Sequence, residues 1–87
     1  MYKIIIDLSA EKDLENLSKD VLKRVVKTID NLAEDSKPHG VKKLQGSDEN
    51  LFRVRVGDYR IIYAISEKIK IVNIRRVRPR KDVYRNL

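Results

Sequence analysis

Between Leu51 and Arg76 apolar and polar residues alternate in three runs: Leu51 to Val56, Tyr59 to Ser66, and Ile69 to about Arg76. Only Gly57-Asp58 and Glu67-Lys68 separate them. A period of two is the pattern of a strand with one buried face. Two residues cannot return a chain to a parallel neighbour, which needs a crossover of a dozen or more. The three runs therefore predict an antiparallel meander. Pro79 ends it, because proline has no N–H to give to a ladder.

What precedes the meander reads as one strand and two helices. Tyr2 to Leu8 is rich in β-branched residues, with Tyr2, Ile4, Ile6 and Leu8 on one face. Ser9 is the expected cap of a short amphipathic helix over about 10–17, built on Ala10, Leu14 and Leu17. Ser18 caps a second helix of about 16 residues, with Asp20 at its positive end. Its apolar stripe is Val21, Leu22, Val25, Val26, Ile29, Leu32 and Ala33. Pro38 and Gly40 stop that helix, Val41 to Leu44 suggests a short strand, and Gly46 to Asn50 a polar turn. The expected fold is α+β: an N-terminal strand, a two-helix hairpin, then an antiparallel β-meander with the helices packed on one face. Eighty-seven residues make one domain over 1–87 with a single modest core.

Charge divides the chain where the meander begins. Residues 1–50 carry nine Lys+Arg and ten Asp+Glu, whereas residues 51–87 carry eleven and three, so the whole basic excess lies in the second part. The type of cation changes too: eight of eleven lysines precede residue 51 and eight of nine arginines follow it. Lysine on a helix is commonly a solvated face, while arginine grips phosphate through a rigid, bidentate fork. The second part therefore reads as a surface for a polyanion. With no cysteine, disulfides, thiol nucleophiles and Cys-based zinc sites are excluded, and a single histidine, His39, excludes His-pair chemistry. His39 in Pro38-His39-Gly40 reads as a surface turn residue. The opening residues hold an unbroken aliphatic run of only three, Ile4-Ile5-Ile6, which fits neither a signal peptide nor a membrane span, so a cytosolic protein with no membrane role is expected.

The alternation aims the arginines. Phe52, Val54 and Val56 share one face of their strand, and Arg53 and Arg55 the other. If Gly57-Asp58 is the turn, Val56 pairs with Tyr59 and Arg55 lies directly across from Arg60. That like-charge opposition costs roughly 0.2–1 kcal/mol, and folding alone gives no reason for it. If Glu67-Lys68 is likewise a turn, Arg60 also faces Arg75. The expectation is a sheet face away from the helices lined by Arg53, Arg55, Arg60 and an arginine near 78, with Tyr84 beside it as a stacking platform for a base. Asp58 and Asp82 have no carboxylate neighbour in sequence, so a paired-carboxylate metal site is poorly supported, and no metal or cofactor is expected.

Several blocks together resemble the RelE toxins of the RelE/ParE superfamily of toxin-antitoxin systems. They are the opening strand followed by Ser9 to Leu17, the turn Lys43-Leu44-Gln45-Gly46, the run Leu51 to Tyr63, and the ending Arg78-Pro79-Arg80-Lys81-Asp82-Val83-Tyr84. The most specific is Arg53-Val54-Arg55-Val56-Gly57-Asp58-Tyr59-Arg60-Ile61-Ile62-Tyr63. The resemblance implies a RelE-like fold and a toxin that enters the ribosomal A site and cleaves mRNA. Attack by the ribose 2′-OH on the adjacent phosphate requires RNA and no metal. It also implies a heteromeric complex with a cognate RelB-like antitoxin.

By the same resemblance Arg53 and Arg55 match the positions that activate the 2′-OH and bind phosphate, and Arg60 the arginine that stabilises the transition state. Arg78 matches the residue that protonates the leaving oxygen, and Tyr84 the one that stacks on the mRNA. Lys42, Lys43, Arg75, Arg76, Arg80 and Lys81 are expected to add RNA contacts. Some members carry lysine at the positions of Arg53 and Arg55. A guanidinium with a pKa above about 12 is a poor base, so either the proton leaves by another route or these two act as electrostatic clamps. ParE-like relatives share the fold but poison DNA gyrase without cleaving RNA, and the retained basic set favours the nuclease over that alternative.

Overall fold

Gly57 takes a φ of +58°, the left-handed region that a side chain strains to enter, and closes a two-residue turn with Asp58. Asp58 keeps a negative φ, so only the first turn residue is left-handed, as a type II′ hairpin requires. The turn joins β3 (Leu51–Val56) to β4 (Tyr59–Ser66) with Val56 paired to Tyr59 and Arg55 to Arg60, as the alternation predicted. The computed structural model describes residues 1–46 and 50–80. Ser47, Asp48 and Glu49 of the expected polar turn, and Lys81, Asp82, Val83 and Tyr84, lie outside them.

The third strand differs from expectation. Glu67-Lys68 supplies no glycine or asparagine for a left-handed position, and the connection takes four residues, with Lys70 at a φ of +56°. As a result β5 spans Ile71–Pro79 rather than starting at Ile69. The register of β4 on β5 then shifts again at a bulge beside Ile62 and Tyr63, where Tyr63 pairs with Ile74 but Ile62 with Arg76. The extra residue, Arg75, lets Val77 rather than Arg76 face the core. Pro79 closes the strand, and the Arg80 N–H donates to the Asp58 carbonyl at 2.9 Å.

The N-terminal half supplies both edges and the cover. β1 (Lys3–Ile6) lies parallel to β5, and β2 (Lys42–Lys43) pairs antiparallel with β3. The sheet runs β1-β5-β4-β3-β2. β1 is shorter than its pattern suggested: Ile6 and Leu8 are 40% and 66% exposed rather than core. The first helix, α1 (Leu8–Glu15), starts after Asp7 and not at Ser9. Asp7 makes no side-chain cap because its carboxylate instead accepts from Asn73 Nδ2 at 2.9 Å. The second helix, α2 (Lys19–Leu32), does use Ser18, whose hydroxyl accepts from the Val21 N–H.

Ala10 of α1 and Val25, Ile29 and Leu32 of α2 are buried in one cluster with Phe52, Val56, Ile61, Tyr63, Ile65, Val72, Ile74 and Val77. Tyr59, on the same face as Ile61 and Tyr63, is only partly buried against the cluster. Each buried aliphatic side chain contributes about 1.5–3 kcal/mol, so α2 is held chiefly by its three core residues. The Phe52 and Tyr63 rings stack at 5.9 Å, and the Tyr63 hydroxyl donates to the Ser36 carbonyl at 2.8 Å. That bond ties the chain leaving α2 to the centre of the sheet. The helices cover one face of the sheet, and Arg53, Arg55 and Arg60 lie on the other.

Candidate RNA-binding face

Three arginines stand abreast on the side of the sheet away from the helices. Arg55 pairs with Arg60 across β3 and β4, and Arg60 pairs with Arg78 across β4 and β5. With strands about 4.8 Å apart, the row spans roughly 10 Å. Exposure falls from the edge inward: Arg55 is exposed, whereas Arg60 is only 3% exposed. A guanidinium keeps its charge even there, since arginine does not give up its proton in proteins. A fixed cation in a place of restricted solvent acts on an approaching anion far more strongly than one in open water.

The next row on the same face is Lys42, Arg53, Ile62 and Arg76. Arg53, Arg55 and Arg60 share a cavity of about 370 Å³ with Lys42, Val54, His39 and Gly40. His39 is an exposed turn residue, as expected, and the chain between α2 and β2 also brings it to the wall of the arginine cavity. Nothing in the local sequence signals this. Lys43 pairs with Phe52 and so lies on the helix side of the sheet, apart from the arginines. Arg80 is exposed where the chain leaves β5. Tyr84 and Lys81 lie outside the described residues.

The remaining arginines of β5 are engaged by carboxylates of the N-terminal part. Arg75, expected opposite Arg60, is the bulge residue instead. It donates to the Asn73 side chain and lies 3.6 Å from Asp7. Arg76 donates from Nε and Nη2 to both oxygens of Asp13, at 2.9 and 3.2 Å. The Val77 N–H also donates to Asp13, at 2.9 Å, and Arg78 Nη1 lies 3.9 Å from it. Burial works to raise the Asp13 pKa, but the Arg76 hydrogen bonds, the Val77 amide and the charges of Arg76 and Arg78 outweigh it and hold the carboxyl below its ordinary value. The same hydrogen bonds hold the Arg76 guanidinium above its own.

Chemically, the face can clamp an anion from several sides. Three cations in a fixed row, with a cavity beside them, suit the nonbridging oxygens of a phosphodiester. Like charges directly opposed on neighbouring strands repel one another, which is the stability cost such a surface carries.

Comparison with known proteins gives a consistent picture. The chain matches the family model described as ParE toxin of type II toxin-antitoxin system, parDE, over residues 4–84. It is 35% identical over 88 residues to a protein named toxin RelE1 from Methanocaldococcus jannaschii, covering 98% of this chain and 97% of that protein. The archaeal RelE–RelB complex from Pyrococcus horikoshii OT3 contains a chain similar to this one with a TM-score of 0.81 and 34% identity, covering 91% of this chain and 94% of that chain. The RelBE2 toxin-antitoxin complex from Mycobacterium tuberculosis gives 0.79 and 28%, covering 90% and 96%. The isolated RelE toxin of E. coli, at 20% identity, covers 100% of both chains with a TM-score of 0.78, which is a likeness of fold.

Proposed function

The chain belongs to the ParE toxin family of type II toxin-antitoxin systems, within the RelE/ParE superfamily, and on that premise we propose that it is a ribosome-dependent endoribonuclease that cleaves mRNA in the A site. The observation that carries this reading is the row Arg55, Arg60, Arg78 on the face of the sheet away from the helices. A gyrase poison needs a protein-binding surface, whereas a row of guanidiniums at strand spacing suits a phosphate.

In the proposed reaction the ribose 2′-oxygen bonds to the adjacent phosphorus as the P–O5′ bond breaks. The products are a 2′,3′-cyclic phosphate and a 5′-hydroxyl. Charge building on the nonbridging oxygens falls to Arg60, with Arg53 and Arg55 binding the phosphate and helping to activate the 2′-OH. Arg78 donates a hydrogen bond to the leaving oxygen, the proton released by the 2′-OH passes to water while water supplies one to that oxygen, and Tyr84 stacks on the mRNA. Electrostatic stabilisation by groups already in place is the main contribution expected of such a site. No metal or cofactor enters the scheme, and the cytoplasm, where translating ribosomes are, is the proposed location. Among the described residues no helix is long and apolar enough to cross a membrane.

The solved relatives from P. horikoshii and M. tuberculosis are toxin-antitoxin complexes. They support a heteromeric complex with a RelB-like antitoxin for this chain. Induced expression should arrest growth, new mRNA 3′ ends should fall within translated codons by primer extension, and a neighbouring antitoxin gene should reverse both. Double-strand DNA breaks with intact mRNA would mean that the chain acts as the ParE of its family description.

A further inference from the structure

β1 ends at Ile6, whose partner on β5 is Ile74. Beyond that point no strand among the described residues lies on the outer side of β5, yet its backbone donors still need acceptors. Asp13, from the last turn of α1, stands there instead. It takes the Val77 N–H at 2.9 Å and the two-pronged Arg76 fork at 2.9 and 3.2 Å. Its side chain is 12% exposed and lies 3.9 Å from Arg78 Nη1.

These contacts fall on the residues that immediately follow the bulge. Without the extra residue Arg75, Arg76 would point to the core and Arg78 would leave the face that carries Arg60. A carboxylate that binds both the side chain of Arg76 and the amide of Val77 fixes the shifted register at its first two positions. We propose that Asp13 is a positioning residue of the arginine row: by holding Arg76 and the Val77 amide it keeps Arg78 across from Arg60, where both meet the same phosphate. The catalytic consequence rests on the nuclease reading above, whereas the geometric consequence does not. Arg76 on this account is a structural strut rather than an RNA contact.

The test has two arms. In the first, Arg Nε–Hε NMR signals of the folded protein are titrated with inorganic phosphate. In the wild type Arg60 and Arg78 should respond along one common binding curve. In Asp13→Asn, which keeps the size but not the fork, Arg60 should still respond while Arg78 should not follow it. A common curve in folded Asp13→Asn overturns the proposal.

The second arm uses cleavage of ribosome-bound mRNA and the variant Arg76→Lys, which keeps the charge at a half-buried position outside the core. Misplacement by an ångström costs roughly 10- to 100-fold in reaction rate, so the saturating rate should fall by about that factor with mRNA affinity nearly unchanged. Weaker affinity at an unchanged saturating rate would make Arg76 an RNA contact and overturn the proposal. A wild type that cleaves nothing defeats the nuclease reading, and the phosphate titration then decides the role of Asp13 alone.

Discussion

Arg60 stands directly across from Arg78, and not from Arg75. Two local events set this: a four-residue connection with Lys70 in the left-handed region, and the bulge that takes up Arg75. Together they slide β5 by three residues relative to a tight Glu67-Lys68 turn. The slide completes a row of three arginines and hands Arg75 to Asp7, 3.6 Å away.

Arg60 is the central member of that row and the most buried. Replacing it with Ala removes one donor from a preorganised set, which costs roughly 10²- to 10³-fold in cleavage rate. Single-turnover cleavage of ribosome-bound mRNA measures this. The loss should fall on the saturating rate more than on affinity, because the interaction is strongest in the transition state.

The row should also trade stability for function. Arg55→Thr places a β-branched residue on an exposed strand position and removes a like charge opposite Arg60. It should raise stability by roughly 0.2–1 kcal/mol while lowering cleavage. Urea unfolding at low and high salt checks this, because screening should shrink the gain as salt rises.

Acid should weaken the contact between α1 and β5. The Asp13 carboxyl is held below its ordinary value in the folded protein, so its anion is bound more tightly in the folded chain than in the unfolded one. That stabilisation is complete above the unfolded carboxylate value of about 3.9 and is lost as pH falls through the lowered folded value. Urea midpoints from pH 6 downward should therefore drop steeply in acid for the wild type. Asp13→Asn should start lower and show a shallower acid dependence.

Tyr63→Phe should remove the bond to the Ser36 carbonyl and lower stability by about 0.5–1.5 kcal/mol. Burial, with a smaller contribution from the Asp35 charge, pushes the phenol well above the usual tyrosine range. Absorbance titration should accordingly show one tyrosine that resists ionisation at high pH.

Much of this surface was legible in the chain because period-two alternation fixes which face a residue takes once a turn is known. Gly57 marks its turn unambiguously, and so Arg53, Arg55 and Arg60 could be aimed correctly. Ser18 was equally readable as a cap, having a hydroxyl with no competing partner in the helix start. Glu67-Lys68 carries no such mark, and a bulge leaves no local signature, so the position of Arg78 could be named only as near the row. Asp7 displaced Ser9 as the start of α1, with its carboxylate taken by Asn73 from the far end of the chain. Asp13 was invisible for the same reason: its partners lie more than sixty residues away on a strand whose register was itself unreadable. Long-range polar contacts depend on tertiary register, while alternation and capping depend only on neighbours.

The most direct test is to add the purified protein to ribosomes stalled on a defined mRNA with an empty A site and to map the RNA ends. Cleavage within the A-site codon is expected, giving 2′,3′-cyclic phosphate and 5′-hydroxyl ends in the presence of a chelator. Arg60→Ala should lose it by roughly 10²- to 10³-fold. Intact mRNA with the wild type, or equal cleavage by Arg60→Ala, would contradict the account.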